Sequence, residues 1–314
     1  MNIRIALLAA LLLAACATAP VPPAPPPPAA PPAPEGAEAI SLLGKPLARP
    51  AGSEQQENDL AAARATYDAN PNDADAIIWL GRRAAYLGRY REAVEIFSVG
   101  IRKHPRDARM YRHRGHRFIT LRQFDRAIAD LEKATGLVRG KPDEVEPDGQ
   151  PNPRNIPIGS LQSNICYHLG LAHYLKGDFE RALPVYRRCA ADTTNADRIV
   201  SVSHWLYMTL RRLGRVEEAE RVLQPITIGM DVVENVSYHK LLLMYGGHIA
   251  PEELNAETLS GMDGPTIRYG VANWYVYNGD TARARPILER VVTEGPWPAF
   301  GAIAAEAELA RLSP

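Results

Sequence analysis

The stretch LGRYREAVEIFSVGIRKHP, from Leu87 to Pro105, decides the fold. It holds a glycine (Gly88), an aromatic two residues on (Tyr90), a small residue (Ala93), a large one (Phe97) and a closing proline (Pro105). Nothing in it looks like a catalyst. Its meaning depends on whether the rest of the chain repeats it.

It does. Counted from Gly81, residues at offsets 7, 12, 16, 19 and 24 are Gly88, Ala93, Phe97, Gly100 and Pro105. Gly115 lies 34 residues after Gly81 and is followed by Ala127, Leu131 and Ala134 at 12, 16 and 19. Gly170 begins a third copy with Gly177, Ala182, Tyr186 and Cys189. Tyr207 begins a fourth with Gly214, Ala219, Leu223 and Ile226. Ala272 begins a fifth with Gly279, Ala284, Leu288, Val291 and Pro296. This spacing resembles the tetratricopeptide repeat (TPR). Small residues at the first and third positions let two antiparallel helices approach closely. The glycine between them turns the chain, the large residue plugs a gap, and the proline stops the second helix. One such pair cannot bury its apolar face alone, so pairs stack. The expected fold is all-α, a right-handed superhelical TPR solenoid.

Two interruptions break the register. GKPDEVEPDGQPNPRNIPIG, from Gly140 to Gly159, is rich in Pro, Asp and Asn. It reads as an irregular surface insertion, at about 138–160. VSYHKLLLMYGGHIAPEELNAETLSG, from Val236 to Gly261, reads as a helix, a glycine turn and a short helix opened by Pro251. It belongs to a degenerate repeat at about 230–264. After Pro296, PAFGAIAAEAELARL reads as a terminal capping helix, small and polar on one side as solenoid ends require.

The N-terminus carries a different signal. Arg4 precedes an apolar run, Ile5 to Leu13, too short to span a bilayer. Leu13-Ala14-Ala15-Cys16 resembles the lipobox of bacterial lipoproteins. That resemblance implies a signal peptide at 1–15 and a lipidated Cys16, with palmitate among the attached chains. Ala17 rather than aspartate follows, which implies the outer membrane and a periplasmic orientation. From Ala17 to Glu35 the chain is nearly all Ala, Pro and Val and favours extended polyproline II. Residues 16–51 are expected to form a disordered linker, with a PxxP ligand as the less favoured reading. Ser53 with Gln56 reads as a capping box opening a helix to about Ala69. The TPR domain should occupy 52–314, as helices only.

Composition narrows function. The 314 residues carry 36 Lys+Arg against 36 Asp+Glu. That balance argues against bulk nucleic-acid binding, which needs a basic surplus. There is no GxSxG, P-loop, HExxH or dinucleotide fingerprint. His113 and His116 lie one turn apart and are read as solvated residues, not metal ligands. No enzyme activity, metal or other cofactor is expected. Apart from Cys16, the cysteines are Cys166 and Cys189, which the hairpin places face to face. Two readings stay open. Helix axes usually stand about 8–10 Å apart, whereas a disulfide needs Cα atoms within about 7 Å. The pair is therefore either bonded or two buried thiols.

A narrower resemblance rests on three features: the lipobox, SHWLYMTLRRLGRVEEAERVL from Ser203 followed by LLLMYGGHIAPEEL, and YGVANWYVYNGDTARARPILERVV from Tyr269. Together they look like the NlpI family of outer-membrane TPR lipoproteins. The resemblance implies a non-enzymatic scaffold, with a homodimer left open. Its partners would be cell-envelope proteins such as peptidoglycan hydrolases or a protease. The alternative is an assembly factor, a pilotin for a secretin or a subunit of a barrel-insertion complex. In TPR arrays the first helix of each pair lines the concave surface. Helical spacing then selects Asp75, Ile78, Arg82 and Tyr86, and in the second copy Arg109, Arg112, His116 and Thr120. The third copy offers Asn164, Tyr167 and Tyr174, and the fourth His204, Met208, Arg211 and Arg212. The fifth offers Tyr269, Asn273 and Tyr277. Five arginines against one acid, interleaved with tyrosines, predict a groove for an acidic peptide segment.

Overall fold

The computed structural model describes residues 34–193, 195–256 and 261–312. Cys16, the apolar run before it and most of the Pro-rich leader lie outside the described residues. A helix, α1 (Glu54–Ala69), precedes the array and is capped as its sequence requires. Ser53 accepts from the Gln56 amide, and the Gln56 side chain accepts from the Ser53 amide. Three regular hairpins follow: α2 (Ala74–Tyr86) with α3 (Tyr90–Lys103), α4 (Ala108–Thr120) with α5 (Phe124–Val138), and α6 (Leu161–Lys176) with α7 (Phe179–Ala191). The fourth pairs α8 (Ala196–Arg212) with a short α9 (Val216–Leu223). The degenerate repeat gives α10 (Val236–Tyr245) and α11 (Pro251–Ala256). The fifth hairpin is α12 (Asp263–Tyr277) with α13 (Thr281–Glu294), followed by α14 (Phe300–Leu312). The array is the expected all-α solenoid of stacked hairpins.

The repeat spacing works through one contact. The large residue at offset 16 lies directly over the small residue that begins its own copy. A Cβ on Gly81 would come within 2.5 Å of the Phe97 ring, one on Gly115 within 2.8 Å of Leu131, and one on Gly170 within 2.6 Å of the Tyr186 ring. Ala93, Ala127, Ala182, Ala219 and Ala284, at offset 12, are fully buried, as the close approach of two helices demands. Burying each large residue contributes roughly 1.5–3 kcal/mol. The turns need a left-handed backbone, and Gly88, Gly177, Gly214 and Gly279 supply it with φ between 70° and 89°. The fourth copy departs from the pattern. Pro225 cuts α9 short, because it has no N–H to continue the helical ladder. Leu223 is then only half-buried, and Tyr207 stacks on Tyr245 of α10 instead, with ring centroids 4.6 Å apart.

Cys166 and Cys189 are bonded, with Cα atoms 5.8 Å apart. The bond staples α6 to α7; with Cα atoms about 2.3 Å off each axis, helices at ordinary spacing of about 8–10 Å bring facing Cα atoms within disulfide reach.

Two expectations are corrected. Ordered structure does not begin near residue 52. Ala37–Ile40 and Pro46–Ala48 form an antiparallel hairpin, β1 and β2, in the pairing Ala37 with Ala48, Ala39 with Leu47 and Ile40 with Pro46. Polar anchors hold it: Glu38 accepts from Arg49 Nε (3.1 Å) and the Arg91 amide (3.2 Å), and Trp297 Nε1 donates to the Ala48 carbonyl (2.8 Å). The composition of this segment hid it because its partners lie far away in sequence. Second, α14 does not cap the stack with a polar outer side. Its residues Gly301 to Leu309 are all buried, Glu306 and Glu308 included. The 140–159 insertion is irregular and largely exposed, as expected, and it also crosses the concave face.

Gly170→Ala should cost about 1–3 kcal/mol through overpacking, because the Tyr186 ring is wholly buried and cannot withdraw. Urea unfolding checks this; an unchanged midpoint would mean that the contact under Tyr186 can relax.

Candidate functional site

The concave surface is built from α2, α4, α6, α8 and α12, as TPR geometry requires, but the chain occupies much of it itself. Helix α14 lies against these first helices. Phe300 packs against the rings of His116 (5.3 Å), His168 (5.7 Å) and Tyr167 (6.2 Å). Glu306 meets Arg122 at 2.5 Å, both side chains being under 5% exposed. Glu308 meets Arg212 at 2.7 Å and Arg311 at 2.8 Å. Burial pushes the Glu308 carboxyl up, but Arg311 and Arg212 together hold it below its ordinary value.

Arg122 explains the closure. It occupies the turn position that glycine fills in the other copies, with φ of 62°. A non-glycine residue there is strained, and such strain persists only where the surroundings over-determine it. Here the guanidinium forks onto Glu306, and also donates to the carbonyls of Thr120 (2.5 Å) and Trp297 (2.9 Å). Glu306 Oε2 further accepts from the Leu42 amide of the hairpin (3.1 Å). One buried pair thereby ties the N-terminal hairpin, the second repeat and the C-terminal helix together. Sequence reading missed Arg122; the signal was the absent glycine at offset 7 of the second copy.

The insertion supplies the second internal occupant. Glu146 binds Arg112 (3.0 Å), approaches His113 Nε2 (3.6 Å) and accepts from Asn164 Nδ2 (3.0 Å). Arg82 donates to the Pro147 carbonyl (2.8 Å), and Arg83 to that of Gly149 (3.2 Å). Further along, Asn152 bonds Glu234 (2.7 Å) and Arg154 pairs with Asp231 (2.7 Å). The loop therefore bridges three hairpins and the segment ahead of α10.

The remaining expected groove residues divide by burial and partner. Arg109 is held by Asp107 and Asp75, each at 2.6 Å. Arg82 also bonds the Tyr86 hydroxyl (3.2 Å). Arg211 donates to Asn278 (2.7 Å) and lies over the Tyr277 ring. Arg212 also reaches Asn273 (3.2 Å). Tyr174, Tyr269 and Asn273 are wholly buried and bond one another at 2.9 and 3.1 Å, forming a polar knot inside the core. Ile78, Met208 and Thr120 are likewise buried. The Tyr167 hydroxyl accepts from Trp205 Nε1 (2.9 Å) and bonds Tyr238 (2.9 Å). His204 is buried and stacks on Tyr238 and Tyr245. The chain's own carboxylates and carbonyls thus take four of the five arginines, and a side-chain amide the fifth.

The histidines correct a further expectation. His113 is buried, stacked on Phe97 at 5.4 Å, and His116 lies against His168 at 4.3 Å. Neither is a solvated surface residue. Burial, reinforced by Arg112 or Arg117, drives His113, His116 and His168 well below the usual imidazole range. Burial alone brings His204 down to about 3. Among the described residues, no group of three or more His, Cys, Asp or Glu is placed to hold a metal ion.

Profiles of the tetratricopeptide repeat match residues 78–144, from α2 into the insertion, and 165–199, from α6 into the start of α8. With the fold, they define the class: this is a tetratricopeptide-repeat protein. Similar solved structures include YrrB, described as a TPR protein with an unusual peptide-binding site (14% identity, 81% of this chain and 100% of that one, TM-score 0.43). Others are pilF of Pseudomonas aeruginosa (14%, 76% and 86%, 0.45) and a TPR protein of Parabacteroides merdae (15%, 82% and 91%, 0.48). Among curated proteins, no sequence match reaches significance.

Two predictions follow from the buried charges. Glu306→Ala leaves Arg122 buried without its carboxylate and should cost about 3–5 kcal/mol. Urea denaturation measures it; a loss below about 1 kcal/mol would show that the pair does not close the array. The histidines have folded pKa values below the unfolded value of about 6.5. As pH falls through that value the unfolded state takes up protons that the native state refuses. Stability is therefore complete above this range and declines below it, by up to about 1.4 kcal/mol per pH unit for each histidine. Unfolding midpoints between neutral and mildly acidic pH should show that slope, and His204→Phe should flatten it. A level profile would contradict the assignment.

Proposed function

We propose that this protein is a non-enzymatic scaffold of the bacterial cell envelope. It is a lipoprotein anchored through Cys16 to the outer membrane and facing the periplasm, where it recruits envelope proteins such as peptidoglycan hydrolases or a protease. Stacked TPR hairpins are an interaction architecture, and that coarser role follows from the fold. The observation that carries the compartment is the disulfide between Cys166 and Cys189, since structural disulfides persist in oxidising compartments such as the periplasm. It agrees with Leu13-Ala14-Ala15-Cys16 at the N-terminus. Because α14 and the 140–159 loop already hold most of the groove arginines, partners dock chiefly on surfaces that the chain leaves open. Ile156 (51% exposed) and Ile228 (72%) stand on two segments tied together by the Arg154–Asp231 pair.

Affinity capture from envelope extract, with the wild type and Cys16→Ser in parallel, tests the reading. Recovery of hydrolases or a protease, with mass spectrometry finding acyl chains on Cys16, is the expected result. Recovery of a secretin or of barrel-insertion subunits would favour an assembly factor instead. An unlipidated wild-type protein in the cytoplasm would sink both.

A further inference from the structure

One stretch of the concave channel is left unfilled by α14 and the insertion. It is a cavity of about 420 Å³ between α2, α4 and the approach to α14. Its walls include the rings of Tyr86, Tyr90, Tyr238 and Phe300. Among the described residues, Arg117 is the one formally charged side chain lining it, and no carboxylate does.

Arg117 differs from every arginine discussed above. It makes no ion pair or hydrogen bond among the described residues; its guanidinium lies 5.5 Å from the Tyr90 ring centroid. Burial brings it down to about 10, partly opposed by Tyr90 and reinforced by Arg112. A guanidinium has five donors, and those of Arg117, a half-buried side chain, meet no acceptor among the described residues but face the cavity. The surroundings add positive potential. Arg112 and Arg82 line the adjoining cavity, which shares Tyr86, Tyr238 and Phe300 with this one. Arg112 is 8% exposed, and its Nε has no partner even though Glu146 takes the other end of the group. Glu146, Asp148 and Glu234 belong to that adjoining cavity, where Arg112 and Arg82 face them.

We propose that this cavity binds a small monoanionic molecule with a flat apolar body, an aryl carboxylate, whose carboxylate is held by Arg117 and whose ring lies among Tyr86, Tyr90, Tyr238 and Phe300. The carboxylate supplies the acceptors that Arg117 lacks, in the bidentate geometry guanidinium favours. The aromatic walls match a ring rather than a polyanion, because a single uncompensated cation balances a single charge. A free small molecule suits the space better than an extended peptide, since α14 and the 140–159 loop already cross the channel. The proposal goes beyond the scaffold reading and does not depend on it.

Calorimetric titration of the purified protein with 2-naphthoate and with its neutral analogue 2-naphthamide tests this. The carboxylate should bind about tenfold tighter than the amide or better, the scale of one hydrogen bond to a charged group. Arg117→Met should bring the two affinities together, and Arg117→Lys should restore part of the preference. Equal affinities in the wild type overturn the proposal without recourse to any variant. So does a preference retained in a folded Arg117→Met protein, or no binding of either compound at millimolar concentration. Binding of an acidic peptide where 2-naphthoate fails would also overturn it and return the channel to peptide recognition.

Discussion

The buried fork between Arg122 and Glu306 is the contact on which the closed form of this molecule depends. A TPR array has no intrinsic reason to close, because each hairpin touches only its neighbours. Here a guanidinium in a turn near the middle of the array meets a carboxylate on the last helix. A strained backbone and two buried charges are tolerated together because each defines the surroundings of the other. The same carboxylate holds the amide of Leu42, so the hairpin at residues 37–48 and the last helix are fixed through one side chain.

That closure changes what the concave face can do. In an open array, arginines on the first helices are free to meet the acidic groups of a partner. In this one Arg112, Arg122 and Arg212 meet Glu146, Glu306 and Glu308 of the same chain. The chemistry expected of an external ligand is supplied internally. Removing either member of such a pair strands a buried charge, so these arginines act first on stability. Arg117, which no such carboxylate reaches, is left facing open space.

The histidines follow the same logic. They were drawn into the interior with the aromatic residues, where burial and neighbouring arginines keep them neutral. Their contribution is to packing, and their cost appears only when acid offers the unfolded chain protons that the folded one cannot accept.

By itself, the sequence determined the repeating unit. Gly81 with Phe97, Gly115 with Leu131 and Gly170 with Tyr186 are local pairs, each within one hairpin, so their spacing could be counted before any contact was seen. The capping box at Ser53, the two interruptions and the nearness of Cys166 to Cys189 were legible for the same reason. Tertiary structure alone decided whether those cysteines bond, because ordinary helix spacing permits either outcome. It also decided the three features that shape the candidate site: the hairpin at residues 37–48, the path of the 140–159 insertion and the burial of α14. Each rests on partners far apart in sequence, such as Leu42 with Glu306 or Arg82 with Pro147. Periodicity reports which face of a helix is apolar, but it carries no information about which distant segment will cover that face.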